Sequence, residues 1–372
     1  MRIAIDATPA LEQRGGVGRY ARELIRALVL ETLDHRFVLS CASSQARADE
    51  FQAWLPPGAW REIRRLPASE RVMTGLWQRL RIPLDIERWT GPHALFHATD
   101  FTLPPTRAAK VVTIHDLSFI LHPEYCDPGL ARYLSAALPR SIERADAVIT
   151  VSASVAAELA TAFPAARSRI VAIPNGLTTP IKAETRCTVQ EPVVLMVGTL
   201  EPRKNYLTIL RAMESVRLEI PDARLVIVGR RGWLDDSIVA EVKRCQAAGW
   251  LTWHDDASDA ELEAAFREAA VFVAASHYEG FGLPVLEAMA RGVPCVASDI
   301  AAHREVAGVA ACFAPVTDTD AFADAITSLL NERDRRTALA ERGTARAGEF
   351  SWRETARRTL RVYERAAAGT VW

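Results

Sequence analysis

No two cysteines in this sequence are spaced as C-x-x-C. The six present, Cys41, Cys126, Cys187, Cys245, Cys295 and Cys312, are scattered, which suggests neither a disulfide framework nor a zinc site and fits a reducing cytosol. Charge of one sign is missing too. Its 45 Lys and Arg against 46 Asp and Glu leave a formal net charge of −1, so no global attraction to nucleic acid is expected. No segment approaches the ~20 apolar residues of a membrane span, and MRIAIDATPA puts Asp6 where a signal peptide needs an unbroken apolar run. The expectation is a soluble, cytoplasmic chain, at most peripheral at a membrane. Repeats and low-complexity tracts are also lacking. What is there is bulk: 372 residues, 49% of them apolar, exceed what one hydrophobic core usually serves, so two domains are expected.

Short apolar runs alternate with segments of period near 3.6. RIAIDA, RFVLSCA, LFHAT, KVVTIHD and DAVITVS read as buried strands, separated by helical patterns such as GRYARELIRALVLE. That alternation predicts an α/β domain with a parallel sheet. At IPNGLTTPIKAETRCTVQEP the pattern lapses into Pro, Gly, Thr and charge, and VVLMVGT opens a second series continued by ARLVIVG, LTWHD, VFVAAS and PCVAS. The expected division is a first domain over 1–175, a linker over 176–191, a second domain over 192–350 and a terminal helix over 351–372. In that helix Ser351 is placed as the N-cap, with an apolar stripe through Trp352, Ala356, Leu360 and Tyr363. Parallel sheets bind ligands beyond the carboxyl ends of their strands, so motifs directly after strands are the candidates.

One such motif is HYEGFGLPVLEAMARG, after the strand VFVAAS. Gly280 and Gly282 let the backbone approach a ligand closely. The N–H groups of Phe281, Gly282 and Leu283 open a helix whose first turn carries Pro284, where a missing donor costs nothing. A phosphate fits at that end. Glu287 lies about one turn into the helix and can accept two hydroxyl hydrogen bonds, as a ribose would offer. The alternative, that Glu279 and Glu287 are simply acids favoured near a helix N-terminus, stays open for each taken singly. A second motif, VGTLEPRKNYLTILRAM, places Arg203 and Lys204 in a loop after a strand, ahead of a helix with a core stripe through Leu207, Leu210 and Met213. Two cations there would hold a diphosphate; a solvated surface pair is the plainer alternative.

In GGVGRY, Gly16, Gly18 and Ala21 satisfy G-x-G-x-x-A, the dinucleotide fingerprint. The fingerprint fails here, because some ten residues separate Asp6 from Gly16 and RFVLSCASS ends without an acid. Gly15 and Gly16 instead suit a diphosphate or an acceptor, or a purely structural loop.

EGFGLPVLEAMARGVP with its E-x7-E spacing, VGTLEPRKN, GGVGRYARELIRAL and TIHDL together resemble the family 4 retaining glycosyltransferases of the GT-B fold, over almost the whole chain. The resemblance implies a Rossmann-like N-terminal domain for the acceptor and a Rossmann-like C-terminal domain for a nucleotide sugar. The two parallel sheets would face a central cleft, with the last helix crossing back to the first domain. It implies that Arg203 and Lys204 bind the donor diphosphate, Glu287 the ribose and Glu279 the transferred sugar. The amides of Phe281, Gly282 and Leu283 would add contacts, and Gly229, closing ARLVIVG, is counted with the donor set. His115, at the end of KVVTI, matches the family's histidine beside the transferred sugar. Asp116 and His97 fall to the acceptor side, although His97 could equally pack beneath it; His254 and His277 are left to structure.

Asp318-Thr319-Asp320 matches the D-x-D with which other sugar transferases hold a metal, but it precedes the periodic AFADAITSLL, where an aspartate is an N-cap. With two cations and helix amides for the diphosphate, neither metal nor other cofactor is expected. Residues 60–89 interleave Arg61, Arg64, Arg65, Arg71, Arg79, Arg81 and Arg88 with Trp60, Trp77 and Trp89. That suits peripheral contact with an anionic membrane and a polyprenyl-linked acceptor, or else a solvated basic face with tryptophans packed inward. The E-G-F-G-L-P form is similar to bacterial mannosyltransferases of surface-polysaccharide synthesis, including lipopolysaccharide. GDP-mannose is therefore the first expectation and UDP-sugars the second. A GT-B epimerase or a non-catalytic sugar-nucleotide sensor are the rival classes. One departure from the family is His303-Arg304-Glu305-Val306, where Pro-Glu-Val is commoner; it is expected to affect the local backbone rather than the donor site.

Overall fold

The computed structural model describes residues 1–58, 60–178 and 191–370. Cys187 and positions 179–190 of the expected linker lie outside the described residues. The chain groups into two compact units, one of Met1–Leu117, Arg132–Gly176 and Ser351–Trp372, the other of Ser118–Ala131 and Leu177–Phe350.

The first unit contains strands β1 (Arg2–Asp6), β2 (Arg36–Cys41), β3 (Arg61–Arg65), β4 (Leu95–Ala98), β5 (Ala109–Ile114), β6 (Ala147–Thr150) and β7 (Ile170–Ala172). They form one parallel sheet in the order β3-β2-β1-β4-β5-β6-β7. Ile3 pairs with Phe37 on one side and Leu95 on the other, so the order reverses between β1 and β4. Interior strands are mainly apolar at their centres because helices cover both faces: Ile3, Ile5, Phe37, Leu39, Val111 and Ile114 are all buried. The edge strands β3 and β7 had not been expected. REIRR carries four charges, which an edge tolerates and an apolar pattern does not reveal.

Helix Gly16–Glu31 lays Tyr20, Leu24, Ile25 and Leu28 into this core. The terminal helix Trp352–Ala367 packs against it, capped by Ser351, whose Oγ accepts from Arg353 N at 3.2 Å. Trp352, Ala356 and Tyr363 are buried with Thr355 and Thr359, while Leu360 is half-buried. Arg353 and Arg357 both pair with Glu31. The last helix therefore does return to the N-terminal unit.

The second unit holds β8 (Val193–Val197), β9 (Arg224–Val228), β10 (Leu251–His254), β11 (Val271–Ala274), β12 (Cys295–Ser298) and β13 (Ala311–Ala314), ordered β10-β9-β8-β11-β12-β13. All neighbouring pairs are parallel, and the reversal falls between β8 and β11. This is the doubly wound 3-2-1-4-5-6 order. Helix Tyr206–Glu219 buries Leu210 and Met213 fully, with Leu207 partly buried against the same core. Gly229 has a packing reason: a Cβ there would stand 1.7 Å from the Gly198 carbonyl oxygen, where β8 and β9 end side by side. Residues 118–131 belong to this unit: the Tyr125 ring stacks on His277 at 4.9 Å and its carbonyl accepts from Trp233 Nε1 at 2.7 Å.

Candidate active site

The reversal between β8 and β11 brings together two motifs 75 residues apart. After β8, Pro202–Lys204 makes one tight turn. Asn205 comes next in the left-handed region, φ 58°, and its side-chain amide donates to the carbonyls of Ala275 and Val316, tying this loop to those after β11 and β13. The backbone adds a further tie, His277 N to Arg203 O at 2.8 Å.

Glu279 sits at the junction. Its Oε1 accepts from Lys204 Nζ at 2.5 Å and Ser276 Oγ at 2.7 Å, and its Oε2 accepts from Arg203 Nη1 at 3.0 Å. Burial pushes the Glu279 carboxyl up, but the charges of Lys204 and Arg203 outweigh it and hold the group well below the usual carboxylate range. Arg203 is braced as well by the Tyr278 carbonyl at 3.0 Å and by buried Glu201 at 2.7 Å.

Gly280 and Phe281 continue into Gly282, whose φ of +105° opens helix Leu283–Ala290. Phe281 is buried edge-on against Phe350 at 5.8 Å, so the turn is anchored from below. The amides of a helix's first turn have no intrahelical acceptor, which leaves this end fit for an anion. Glu287 lies buried one turn further on, with Arg291 Nη1 4.0 Å from its Oε2 and the Arg291 guanidinium over the Phe266 ring at 4.3 Å.

His303 reaches the same place. It lies in helix Ala301–Ala307, buried, with Nδ1 3.1 Å from the Ser298 carbonyl and 3.0 Å from the Ser298 hydroxyl. Ser298 Oγ donates to the Ser276 carbonyl at 2.6 Å. One small cavity is lined by His303 together with Lys204, Tyr206, Ser276 and Glu279. The His-Arg-Glu-Val departure thus touches the site itself, contrary to the expectation that it concerned only the local backbone. The reason is topological: β12 lies next to β11, so the loops that leave the two strands abut each other. Sequence reasoning also gave no part to Glu201, Ser276 or Ser298; a serine closing each of the apolar runs VFVAAS and PCVAS was the available signal for the last two.

In the first unit Gly15 caps helix Gly16–Glu31, with open space where a side chain would project. Gly18 is required by packing, since a Cβ would stand 1.8 Å from Gln13 O. His115 directly follows β5 and is buried; its Nε2 donates to Thr99 O at 2.8 Å and its ring meets Tyr20 edge-on at 4.8 Å. Asp116, the next residue, is half-buried. His97 does not line the acceptor side. It is fully buried, Nδ1 is 2.6 Å from Tyr363 Oη and Nε2 2.8 Å from Thr113 Oγ1, and burial pushes its pKa down to about 3. Both nitrogens are consumed inside the unit. At the reversal between β1 and β4 stand Asp6, raised to about 6 chiefly by burial, and Asp100, raised by burial, which accepts from Gln13 Nε2 at 3.0 Å.

Asp318 caps helix Thr319–Asn331 by accepting from Ala321 N at 2.9 Å. Within 60–89, Trp77 is buried, donates to Leu84 O at 2.9 Å and meets Trp89 at 6.2 Å, whereas Trp60 stays exposed. Among the described residues no helix is long and apolar enough to cross a membrane.

Two units, each a doubly wound parallel sheet, with the terminal helix returned to the first, make this a GT-B protein. Sucrose-phosphate synthase from Thermosynechococcus elongatus has a similar structure over 100% of both chains, at a TM-score of 0.74 and 19% identity. So does the Anabaena protein HepE in complex with UDP and glucose, over 98% of this chain and 99% of that one, at 0.73 and 17%. Residues 14–179 match the model of Glycosyltransferase Family 4, and residues 179–346 that of Glycosyl transferases group 1. O-antigen chain mannosyltransferase B of Escherichia coli is 30% identical over 98% of this chain and 100% of its own. The chain belongs to the family 4, group 1 glycosyltransferases and is an enzyme of that family.

Proposed function

We propose that the protein moves mannose from GDP-mannose to a hydroxyl of a glycan or lipid-linked acceptor in bacterial surface-polysaccharide synthesis, with retention and without a metal. The observation that carries this reading is the convergence of Arg203, Lys204 and Glu279 beside the helix start at Gly282. A lysine has three donors, of which Glu279 takes one, so Lys204 retains N–H groups for a diphosphate, and the neighbouring Arg203 adds its positive charge. The first-turn amides add to this neutralisation, which is why no divalent ion is needed. Glu287 takes the ribose hydroxyls and Glu279 the transferred sugar; His115 serves transfer as the family's pattern suggests. The resemblance to an O-antigen mannosyltransferase over nearly the whole chain favours mannose.

In the reaction the bond from the anomeric carbon to the donor phosphate breaks and a bond to the acceptor oxygen forms on the same face, the acceptor's proton passing to the leaving phosphate. Glu279 is a poor covalent nucleophile, because both its oxygens are engaged by cations and its charge is strongly stabilised. Asp6 and Asp100 at the first unit's strand reversal suit an acceptor rich in neutral hydroxyls. Val72 and Leu80, exposed among Arg71, Arg79 and Arg81, support peripheral contact with the cytoplasmic face of an anionic membrane.

A thermal-shift panel of GDP-, UDP- and ADP-sugars tests the reading. A ligand at 100 times its Kd stabilises by about 2.7 kcal/mol, and the largest shift is expected from GDP-mannose. A larger shift with a UDP-sugar would replace the donor, and no shift with any would overturn the reading.

A further inference from the structure

His303 is buried in the donor half of the protein, yet the family pattern gives it no work. Its protonation is legible from its partners. A carbonyl oxygen can only accept, so the Ser298 carbonyl 3.1 Å from Nδ1 fixes the proton on Nδ1. The Ser298 hydroxyl, which spends its own hydrogen on the Ser276 carbonyl, lies on the same nitrogen at 3.0 Å. Burial holds the ring below the usual histidine range, and so neutral, against the pull of Glu279. Nε2 then carries a lone pair; it lies 3.8 Å from where a Cβ on Gly282 would stand, and the residue lines a cavity with Lys204, Ser276 and Glu279. An acceptor nitrogen beside a lysine and a carboxylate is complementary to a hydroxyl.

The ring is also fixed in place. Its Cδ2 lies 3.2 Å from where a Cβ on Gly282 would be, so it packs under the turn that opens helix Leu283–Ala290. A chain of hydrogen bonds runs from His303 through Ser298 and Ser276 to Glu279. The imidazole and the carboxylate are therefore held by one scaffold and face one space.

We propose that His303 belongs to the sugar subsite: its Nε2 accepts a hydrogen bond from a hydroxyl of the transferred sugar beside Glu279, and so contributes to the choice of donor sugar. This rests on the donor-site reading of Lys204 and Glu279.

His303→Asn keeps an N–H at the Nδ1 position for Ser298 and removes Nε2; His303→Gln restores a polar atom near Nε2. With GDP-mannose as probe, the Asn variant should bind about tenfold more weakly by calorimetry and lose about tenfold in kcat/KM, the worth of one good hydrogen bond. Binding of GDP alone should change less than twofold, and the Gln variant should recover most of the loss. If the Asn variant has no melting transition, His303→Leu replaces it, since leucine fills the space without an acceptor. Wild-type affinity for the sugar nucleotide in the Asn or Leu variant would overturn the proposal, as would an equal loss for GDP and GDP-mannose. Failure of the wild-type protein to bind any nucleotide or nucleotide sugar would overturn the donor-site reading and this proposal with it.

Discussion

Removing the Lys204 ammonium is the sharpest perturbation the site offers. In the structure Nζ lies 2.5 Å from Glu279 Oε1, with the two side chains 14% and 11% exposed, so the pair is largely withdrawn from water. Lys204→Ala leaves Glu279 two partners, Arg203 at 3.0 Å and Ser276 at 2.7 Å. The carboxylate is therefore not abandoned, and the stability cost should fall below the roughly 3–5 kcal/mol typical when a buried charge loses its only partner. About 1–2 kcal/mol, or a fall of about 2–8 °C in Tm, is expected. The effect on transfer should be larger. A pre-placed donor to developing negative charge commonly contributes about 3–4 kcal/mol in the transition state, and each 1.36 kcal/mol is tenfold, so kcat/KM should drop at least about 100-fold. The assay is nucleoside diphosphate release with donor and acceptor varied separately, run well below the variant's Tm. Lys204→Arg, which keeps a charge of different shape, should recover part of the loss. Near-wild-type turnover by a folded Lys204→Ala variant would remove Lys204 from the diphosphate site and refute the reasoning.

The two glutamates should separate by assay. Glu287→Gln should weaken nucleoside diphosphate binding about tenfold or more by calorimetry, while Glu279→Gln should leave that binding within about threefold and lower kcat instead. The reverse pattern would exchange their roles. Asp6 supplies a stability test at the other end of the chain. Its pKa is raised from 3.8 to about 6, chiefly by burial, so the folded state favours the protonated form. Stability from this group is full below pH 3.8 and is lost as pH rises to about 6, by at most about 3 kcal/mol. Asp6→Asn retains an oxygen for Thr8 N, which Asp6 Oδ1 now binds at 2.9 Å. It should raise Tm at pH 7.5 and leave it unchanged near pH 4; an equal change at both pH values would contradict the assigned shift.

The interior strands were legible in the sequence because a strand covered on both faces is apolar along its buried centre, as IAI within RIAID and all of VVLMV are. Edge strands were only partly so, since LTWHD at one edge was read but β3 and β7 were not. RFVLSC was readable and its neighbour REIRR was not, because one side of an edge faces water and admits arginines. Caps were readable for the same local reason that makes them work: Ser351 and Asp318 each satisfy an amide within three residues. The fate of His97 was beyond the sequence, since its two partners, Thr113 and Tyr363, stand 16 and 266 residues away.

By itself the sequence determined the doubly wound parallel class, the glycine-rich turn before helix Leu283–Ala290 and the family to which the chain belongs. These depend on periodicity, backbone freedom and short spacings, all of which are written along the chain. Only the tertiary structure decided that Arg203, Lys204 and Glu279 neutralise one another and that His303 shares a cavity with Lys204 and Glu279. Those facts depend on which strands lie side by side: the reversal between β8 and β11, and the pairing of β11 with β12, bring together side chains that no local pattern connects.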